Sequence, residues 1–334
     1  MSDPAAEVDV LVVALPTTAG WRGAVPALAA AIERAGARAA VATAGGQDPI
    51  PEVRTFMATD LVQARAARRA AVRGIAAHRP RALIYASATA ALLGPRPGAI
   101  WFDSPAAQNR PGRHGLWQRP VERRRVAAAP LLLPMSEGGL TALDGGRART
   151  TPAVVLPVPV EPSGPLTPTP ERDVAALAYA ADAEKKGLAR ILTAWRQARR
   201  AGETLLVAGQ PAGPLGEGAE GTGLLPPREY RALLRRARAF VAAPRHEDFG
   251  IAQLEALADG CRLVTTPASG PYPALALARA LDPRLVSDEL AGAIRAALDA
   301  PDGDYAERAA ALLAPYRQHA FETTVRERVL PALL

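Results

Sequence analysis

Two glutamates, Glu247 and Glu255, are candidates for chemistry because of their carboxylate side chains and their spacing in the sequence. They flank a helical pattern that begins near Phe249 and Gly250, so Glu247 lies before the first turn and Glu255 about two turns into the helix. A helix N-terminus offers unpaired N–H groups and a positive dipole end, and Gly250 allows an anion close to the backbone. Carboxylates accept hydrogen bonds from hydroxyl groups. The pattern therefore favours a sugar joined to a diphosphate.

Alternating strands and helices position this helix. The run VDVLVVALPT near the N-terminus is typical of a parallel strand buried on both faces. A strand at 237–243 leads directly to Glu247, and ligands of open α/β sheets bind beyond the carboxyl ends of strands. The other predicted strands lie around 38–42, 82–86, 99–102, 131–133, 173–180, 203–209, 262–266 and 284–286.

The fold class predicted from this alternation is α/β, with two Rossmann-like, doubly wound domains and parallel sheets that face a central cleft. A proline-rich connection at 154–170 separates the domains, because repeated prolines prevent helix formation. We expect the first domain over 1–165 and the second over 166–304. Helices over 305–334 are expected to return to the first domain through an apolar stripe of Phe321, Val325, Val329 and Leu330.

Composition limits the class of protein. The 334 residues are 49% hydrophobic and 22% charged, which is a globular composition with an ample core. The single cysteine, Cys261, excludes an internal disulfide, and four scattered histidines give no zinc-type spacing. No signal peptide and no apolar run of transmembrane length is visible, so the sequence predicts a cytoplasmic protein.

A resemblance to a known family rests on the segment PRHEDFGIAQLEALADGCRLVTTPASG. It resembles the donor-site signature of GT-B retaining glycosyltransferases of family 4, the glycosyl transferases group 1. The similarity covers roughly residues 174–275, and the earlier half is similar only in strand and helix order and in Ser136, which sits like a helix-capping serine. The resemblance implies transfer of a sugar from a nucleotide-diphosphate sugar, of UDP or GDP type, to an unknown acceptor with retention.

The same resemblance assigns site residues. It implies that Glu247 binds the transferred sugar, that Glu255 binds the ribose, and that Lys186 neutralises the donor phosphates as catalytic cation. It also implies that Phe249, Gly250 and Ile251 line the diphosphate. Arg245 and His246 of the same loop are further donor-binding candidates, and His246 is alternatively an ordinary loop residue beside Glu247. Such cations would stabilise the leaving group without a metal, so no metal and no further cofactor are expected.

Two departures from the family pattern leave other functions open. Ala181 stands where the family usually has an arginine, with Arg245 or Lys185 as the candidates to compensate. Ser87 and Thr89 occupy the region in which the first domain commonly presents a histidine. A catalytically impaired nucleotide-sugar-binding protein and a sugar-nucleotide epimerase are therefore kept as alternatives.

Candidate acceptor-side residues come from loops of the first domain. Gly20 and Gly23 lie in a loop after the first strand that is a phosphate cradle or an ordinary connection, since no GxGxxG is present. Asp103 follows a strand and either binds the acceptor or forms a turn. His114 is a further candidate on the acceptor side.

A basic segment between 110 and 125 suggests an anionic partner. It contains six arginines around Trp117, and these could face anionic lipid headgroups or phosphorylated substrates, or form a solvated helix face: Arg110, Arg113, Arg119, Arg123, Arg124 and Arg125. Peripheral contact with the inner face of a membrane is thus one expectation. No nucleic-acid partner is expected, because no nucleic-acid-binding module is recognisable.

Overall fold

The computed structural model describes residues 7–15, 19–45, 50–51, 55–110, 112–144, 150–166, 171–301 and 303–334. The chain divides into two compact units. Unit 1 contains residues 1–159 and 318–334, and unit 2 contains residues 160–317. The boundary lies six residues before the predicted one. Residues 167–170 of the predicted connection lie outside the described residues.

Unit 1 is built on a five-stranded parallel sheet in the order β2-β1-β3-β4-β5. Its strands are β1 Val10–Ala14, β2 Ala39–Thr43, β3 Ala82–Ala86, β4 Ala99–Phe102 and β5 Leu132–Pro134. Its helices before the boundary are α1 Ala19–Arg34, α2 Phe56–His78, α3 Ala88–Ala91, α4 Ala106–Asn109, α5 Gln118–Ala128 and α6 Glu137–Asp144. The central strands are buried on both faces, as the apolar run VLVVA predicts.

Unit 2 has a six-stranded sheet in the order β11-β10-β6-β7-β9-β8, parallel except for the β8–β9 hairpin. Its strands are β6 Val174–Tyr179, β7 Leu205–Ala208, β8 Gly213–Gly216, β9 Ala219–Gly221, β10 Ala237–Ala242 and β11 Arg262–Thr265. Its helices are α7 Leu188–Ala198, α8 Pro227–Arg236, α9 Ile251–Ala258, α10 Pro273–Leu281, α11 Leu290–Asp299 and α12 Tyr305–Leu312. The predicted α/β class with parallel sheets in two domains is confirmed.

One predicted strand of unit 2 is wrong. Residues 284–286 were expected to form a strand, but Pro283–Leu285 is a 3₁₀ turn, and Val286 only bridges to Thr265. Pro283 fixes a turn conformation at N1, and the Asp282 carboxylate accepts a hydrogen bond from the Arg284 N–H, which stabilises that turn.

The C-terminal residues divide between the units. Helix α12 and the turn that follows it belong to unit 2, whereas 318–334 belong to unit 1, so the returning segment is shorter than the predicted 305–334. It consists of α13 Gln318–Thr324, a π-helical turn Val325–Val329 and α14 Leu330–Leu333. All four residues of the predicted stripe are buried, and the Phe321 ring centroid lies 6.1 Å from that of Trp101.

Candidate functional site

The candidate site of unit 2 lies at the carboxyl ends of β6 and β10, which are neighbours in the sheet. The chain passes from β6 to β7 on one side and later returns to β10 on the other. The order of strands therefore reverses between β6 and β10, and such a switch point forms a crevice for ligands. Lys186 follows β6, and Glu247 follows β10.

Lys186 and Glu247 form a close ion pair at this crevice. The Lys186 Nζ lies 2.6 Å from the Glu247 Oε2, with the lysine side chain 21% and the glutamate side chain 6% exposed. Gln253 of α9 donates a further hydrogen bond to the same oxygen, at 3.1 Å. A cation and a carboxylate, both held in place, therefore reach the same point of the sheet edge.

Gly187 permits the approach of the two loops. It begins α7 with a φ of 67°, and a Cβ at this position would lie 2.0 Å from the Ala243 carbonyl oxygen just after β10. Any other residue would push α7 away from β10. The neighbouring Lys185 forms a separate pair, its Nζ 3.4 Å from Asp248.

The loop that carries Glu247 is fastened to the loop after β11. The Glu247 N–H donates to the Ser269 carbonyl at 3.0 Å, and His246 Nδ1 lies 3.0 Å from Ser269 Oγ. His246 Nε2 lies 3.3 Å from Asp248. These contacts give His246 a positioning role in the loop.

Helix α9 begins at the crevice with Gly250 as its N-cap. Gly250 has a φ of 76°, and no side chain caps the helix there. A Cβ on Gly250 would lie 2.5 Å from the buried Tyr272 ring, so the position requires glycine. Gln253 in the first turn of α9 and Lys186 both contact the same Glu247 oxygen, so the N-terminus of α9 lies close to Lys186, an arrangement suited to an anion.

Glu255, about one and a half turns along α9 from Gly250, faces α8. Its Oε1 lies 3.5 Å from the Arg231 guanidinium, which also donates to the buried Asp259 carboxylate at 2.7 Å. Burial raises the pKa of Glu255 to about 7, Arg231 opposes that rise, and Asp259 adds to it. The side chain keeps 24% of its surface exposed.

The predicted donor-binding residues near the start of α9 differ in which of their atoms are exposed. The Phe249 side chain is buried, with its ring centroid 6.4 Å from that of Tyr316, so only its backbone can line the site. Ile251 is half-buried in the first turn of α9. Arg245 is 71% exposed, and its guanidinium pairs with Glu184 at 3.2 Å.

The acceptor-side candidates of unit 1 are scattered. Gly20 and Gly23 were expected in a loop, but they lie in the first turns of α1, which begins at Ala19; residues 16–18 lie outside the described residues. Asp103 follows β4, and its carboxylate accepts the Ser104 N–H at 2.8 Å, a turn-forming contact. His114 is exposed in the 3₁₀ turn Gly112–Gly115, which contacts α2.

Two serines of unit 1 occupy strand ends. Ser136 follows β5, and its Oγ accepts the Gly139 N–H at 3.0 Å, so it caps α6 as its resemblance to the family implies. Ser87 follows β3 with a φ of 144° and caps α3 through Ala90. That backbone conformation is strained for a residue with a Cβ, and such strain concentrates at functional sites.

Sequence reasoning missed Gln253, Arg231, Ser269 and Tyr272, which hold or crowd the predicted site residues. The sequence offered one signal for Gln253, because this residue lies in the first turn of the helix that follows Glu247.

Among the described residues, no cluster of three or more His, Cys, Asp or Glu side chains is placed to hold a metal ion. Metal independence stays a prediction. In the same part of the chain, no helix is long and apolar enough to span a membrane.

The chain is similar to known proteins at two levels, a family match in unit 2 and a shared fold. Residues 172–300 match the family described as Glycosyl transferases group 1. None of the curated proteins compared with the chain matches it. The three solved structures named next are similar to the chain in fold at low sequence identity.

WaaG, a glycosyltransferase involved in lipopolysaccharide biosynthesis, has 14% identity and a TM-score of 0.68, over 97% of this chain and 98% of that chain. Anabaena Alr3699/HepE, in complex with UDP and glucose, has 14% identity and a TM-score of 0.67, over 97% of this chain and 99% of that chain. Sucrose-phosphate synthase from Thermosynechococcus elongatus has 15% identity and a TM-score of 0.65, over 95% of this chain and 96% of that chain. The chain has the fold of the GT-B glycosyltransferases, and its second unit matches the group 1 glycosyl transferases over residues 172–300.

Proposed function

We propose that this protein transfers a sugar from a nucleotide-diphosphate sugar to an acceptor hydroxyl, and that unit 2 binds the donor. The observation that carries the proposal is the Lys186–Glu247 pair, 2.6 Å apart at the switch point and beside the N-terminus of α9. The family match over 172–300 covers all of these residues.

Each part of the donor has a counterpart in the cluster. The diphosphate takes the free N–H groups of α9 and the ammonium of Lys186. Glu247 accepts hydrogen bonds from hydroxyls of the transferred sugar, and Glu255 accepts those of the ribose. In the free protein, Lys186 and Glu247 neutralise each other. In the complex, Lys186 pairs with the diphosphate instead, and Glu247 accepts hydrogen bonds from the sugar hydroxyls instead.

The reaction breaks the bond between the anomeric carbon and the diphosphate oxygen. The electron pair stays on the diphosphate, where Lys186 and the α9 N–H groups stabilise the growing negative charge. The acceptor oxygen bonds to the anomeric carbon, and its proton goes to the departing phosphate oxygen. Retention at the anomeric carbon and independence of metal follow from the resemblance to family 4 and are part of the proposal.

Thermal-shift titration without added metal tests donor binding, because a ligand of the folded state raises its unfolding midpoint. UDP, GDP, ADP and dTDP and their sugars are compared, with UDP or GDP compounds expected to give the largest shift. Glu255→Ala is expected to abolish the shift, whereas Glu229→Ala, at an exposed acid of α8, retains it.

Three results would overturn the proposal. A wild-type protein that no nucleotide shifts has no donor site. A donor that binds but is neither hydrolysed nor transferred in an acceptor screen makes the protein a nucleotide-sugar-binding protein. An isomerised donor formed without acceptor makes it an epimerase.

A further inference from the structure

Gln253 connects the first turn of α9 to the Glu247 carboxylate. It is the third residue of the helix after the N-cap Gly250, and only 2% of its surface is exposed. Side chains on a helix lean toward its N-terminus, so an amide at this position reaches back to the loop before the helix. There the Gln253 Nε2 donates a hydrogen bond to the Glu247 Oε2 at 3.1 Å.

The surroundings of the Gln253 amide fix its orientation. A Cβ on Gly250 would lie 3.3 Å from the Gln253 Oε1 and 2.5 Å from the Tyr272 ring, so both side chains border the same narrow space. Burial raises the pKa of Tyr272, and hydrogen bonds from Thr265 and Gln253 oppose that rise. Because a carboxylate only accepts hydrogen bonds, the amide nitrogen faces Glu247 and the amide oxygen does not. Gln253 therefore acts on Glu247 as a fixed donor.

The oxygen of the same amide is left without a hydrogen bond. The Gln253 Oε1 is buried, and none of the described groups donates to it. A buried acceptor without a partner lowers stability, whereas an apolar side chain of similar length would leave nothing unpaired. Sequences break such packing rules mainly at functional sites. An amide at this position is thus better explained by what its nitrogen does than by its contribution to folding.

Glu247 has two side-chain donors in the described part of the chain, and they differ in what they do next. Lys186 lies 2.6 Å from the same Oε2 that Gln253 contacts. Under the proposed function, on which this inference rests, Lys186 turns to the diphosphate of the sugar donor. The Glu247 side chain is only 6% exposed, so water is a poor replacement for a lost donor. Gln253 is the donor that remains.

We propose that Gln253 is a positioning residue that keeps the Glu247 carboxylate oriented toward the transferred sugar while Lys186 stabilises the leaving diphosphate. The diphosphate and the ribose contact other groups, so donor binding depends little on Gln253. The rate of bond breaking depends on it more, because a reacting sugar must be held in a narrow range of geometries.

Gln253→Met tests the proposal, because methionine has a similar length and no N–H group. We expect kcat for sugar transfer to fall about 10- to 100-fold, the usual effect of losing one hydrogen bond to a charged group. The KM for the nucleotide sugar should change only a few fold. The unfolding midpoint without ligand should stay the same or rise, because Lys186 still pairs with Glu247 and the unpartnered amide oxygen is gone. A merely structural role would instead lower the midpoint.

Gln253→Glu separates the hydrogen bond from the shape of the side chain. The new carboxyl group matches glutamine in size and donates to Glu247 only while it is protonated. Two carboxyl groups in contact share a proton as the pH falls. The kcat of this variant, taken relative to the wild type at each pH, should therefore recover toward acid pH. Gln253→Met has no proton to donate and should show no recovery.

Gln118→Met is the matched control. Gln118 is also buried, its Nε2 donates to the Asp60 carboxylate at 2.9 Å, and its Oε1 has no hydrogen-bond partner among the described groups. Arg110, a member of the predicted basic segment, forms two hydrogen bonds to the same carboxylate at 2.7 and 2.9 Å and keeps it paired. This variant is expected to retain the wild-type kcat and KM.

Three results would overturn this inference while the wild type still transfers a sugar. They are a wild-type kcat in Gln253→Met, an equal loss in Gln118→Met, and a Gln253→Glu variant that does not recover at acid pH. Failure of the proposed function is distinguishable from these, because the wild type itself would then transfer nothing, and both proposals would be overturned.

Discussion

The Lys186 ammonium and the Glu247 carboxylate lie 2.6 Å apart although 61 residues separate them in the chain. Two neighbouring strands bring them together, and Gly187 leaves the space in which their loops meet. Opposite charges in such contact stabilise each other, and either one becomes an uncompensated charge when its partner is removed. The pair is therefore poised to exchange partners with a ligand that carries both a phosphate and a hydroxyl group.

Lys186→Ala tests the proposed charge stabilisation. We expect the transfer rate to fall about 100- to 1,000-fold, because one donor to the developing negative charge is lost. Arg190→Ala is the matched control, since this exposed cation of α7 pairs with Asp288 instead, and it is expected to keep the rate within a few fold. Release of the nucleotide is the measurement; equal losses in both variants would contradict the assignment.

Gly250→Ala tests the close packing at the start of α9. The new Cβ would meet the buried Tyr272 ring at 2.5 Å and force a left-handed residue with a side chain. We expect the free energy of unfolding to fall by about 2 to 4 kcal/mol, from strain and overpacking together. Gly36→Ala is the control, because Gly36 has a φ of 89° and no atom within 4 Å of the added Cβ; its loss is about 1 to 2 kcal/mol. Denaturant titration measures both, and equal losses would exclude the Tyr272 contact as a cause.

Donor affinity is expected to depend on the protonation of Glu255. Its pKa of about 7 means that the carboxylate, the better acceptor for ribose hydroxyls, forms as the pH rises through neutrality. Affinity for a nucleotide sugar, whose diphosphate diester does not titrate in this range, should therefore rise from pH 6 to about pH 8. Glu255→Gln should flatten the profile.

Arg231→Gln should move the same profile to higher pH. Arg231 lowers the pKa of Glu255, so its removal lets burial raise that pKa further. Calorimetric titration at several pH values measures the midpoint. A midpoint unchanged in Arg231→Gln, or a profile retained in Glu255→Gln, would assign the titration to another group.

Stability should respond to pH through Glu122. Burial raises the pKa of this carboxyl to about 7, from 4.5, despite the Ala106 N–H and the nearby Arg110. The folded protein then holds a proton that the unfolded chain has released, so this group lowers the free energy of unfolding as pH rises from about 4.5 to about 7. The full effect is about 3 kcal/mol.

Glu122→Gln removes that dependence by replacing the protonated acid with a neutral analogue. Denaturant titrations at pH 5 and pH 8 should show a smaller difference in the variant than in the wild type. Glu33→Gln, at an exposed acid of the same unit, is the control for loss of one carboxyl group. A difference as large in Glu122→Gln as in the wild type would show that the Glu122 carboxyl does not cause it.

Hydrophobic patterning predicted the strands that lie inside the two parallel sheets, because burial on both faces leaves a continuous apolar run, as in β1. It missed β8 and β9, whose short glycine-containing sequences carry no such run. The spacing of Glu247, Gly250 and Glu255 predicted one end of the site, since a helix fixes the distance between them. The prediction that Gly20 and Gly23 lie in a loop was wrong, because these two glycines interrupt the apolar pattern but are tolerated inside α1.

The contacts that hold the site could not be predicted from local patterns. Arg231 reaches Glu255 and Asp259 from another helix, and Ser269 fastens the Glu247 loop from beyond β11. Such pairings depend on which helix faces lie against each other, and periodicity within one element does not encode that. The same applies to Arg110, whose partner Asp60 is 50 residues away.

The return of residues 318–334 to unit 1 affects the order in which the protein can fold during its synthesis. Unit 2 is one continuous stretch, so it can fold as soon as Arg317 has left the ribosome. The Trp101 ring, which meets Trp21 at 5.3 Å and Phe321 at 6.1 Å, lacks part of its packing until the later segment emerges. The first unit to be translated is therefore the last to complete its core, and a nascent chain stopped before residue 318 would expose that aromatic surface to chaperones.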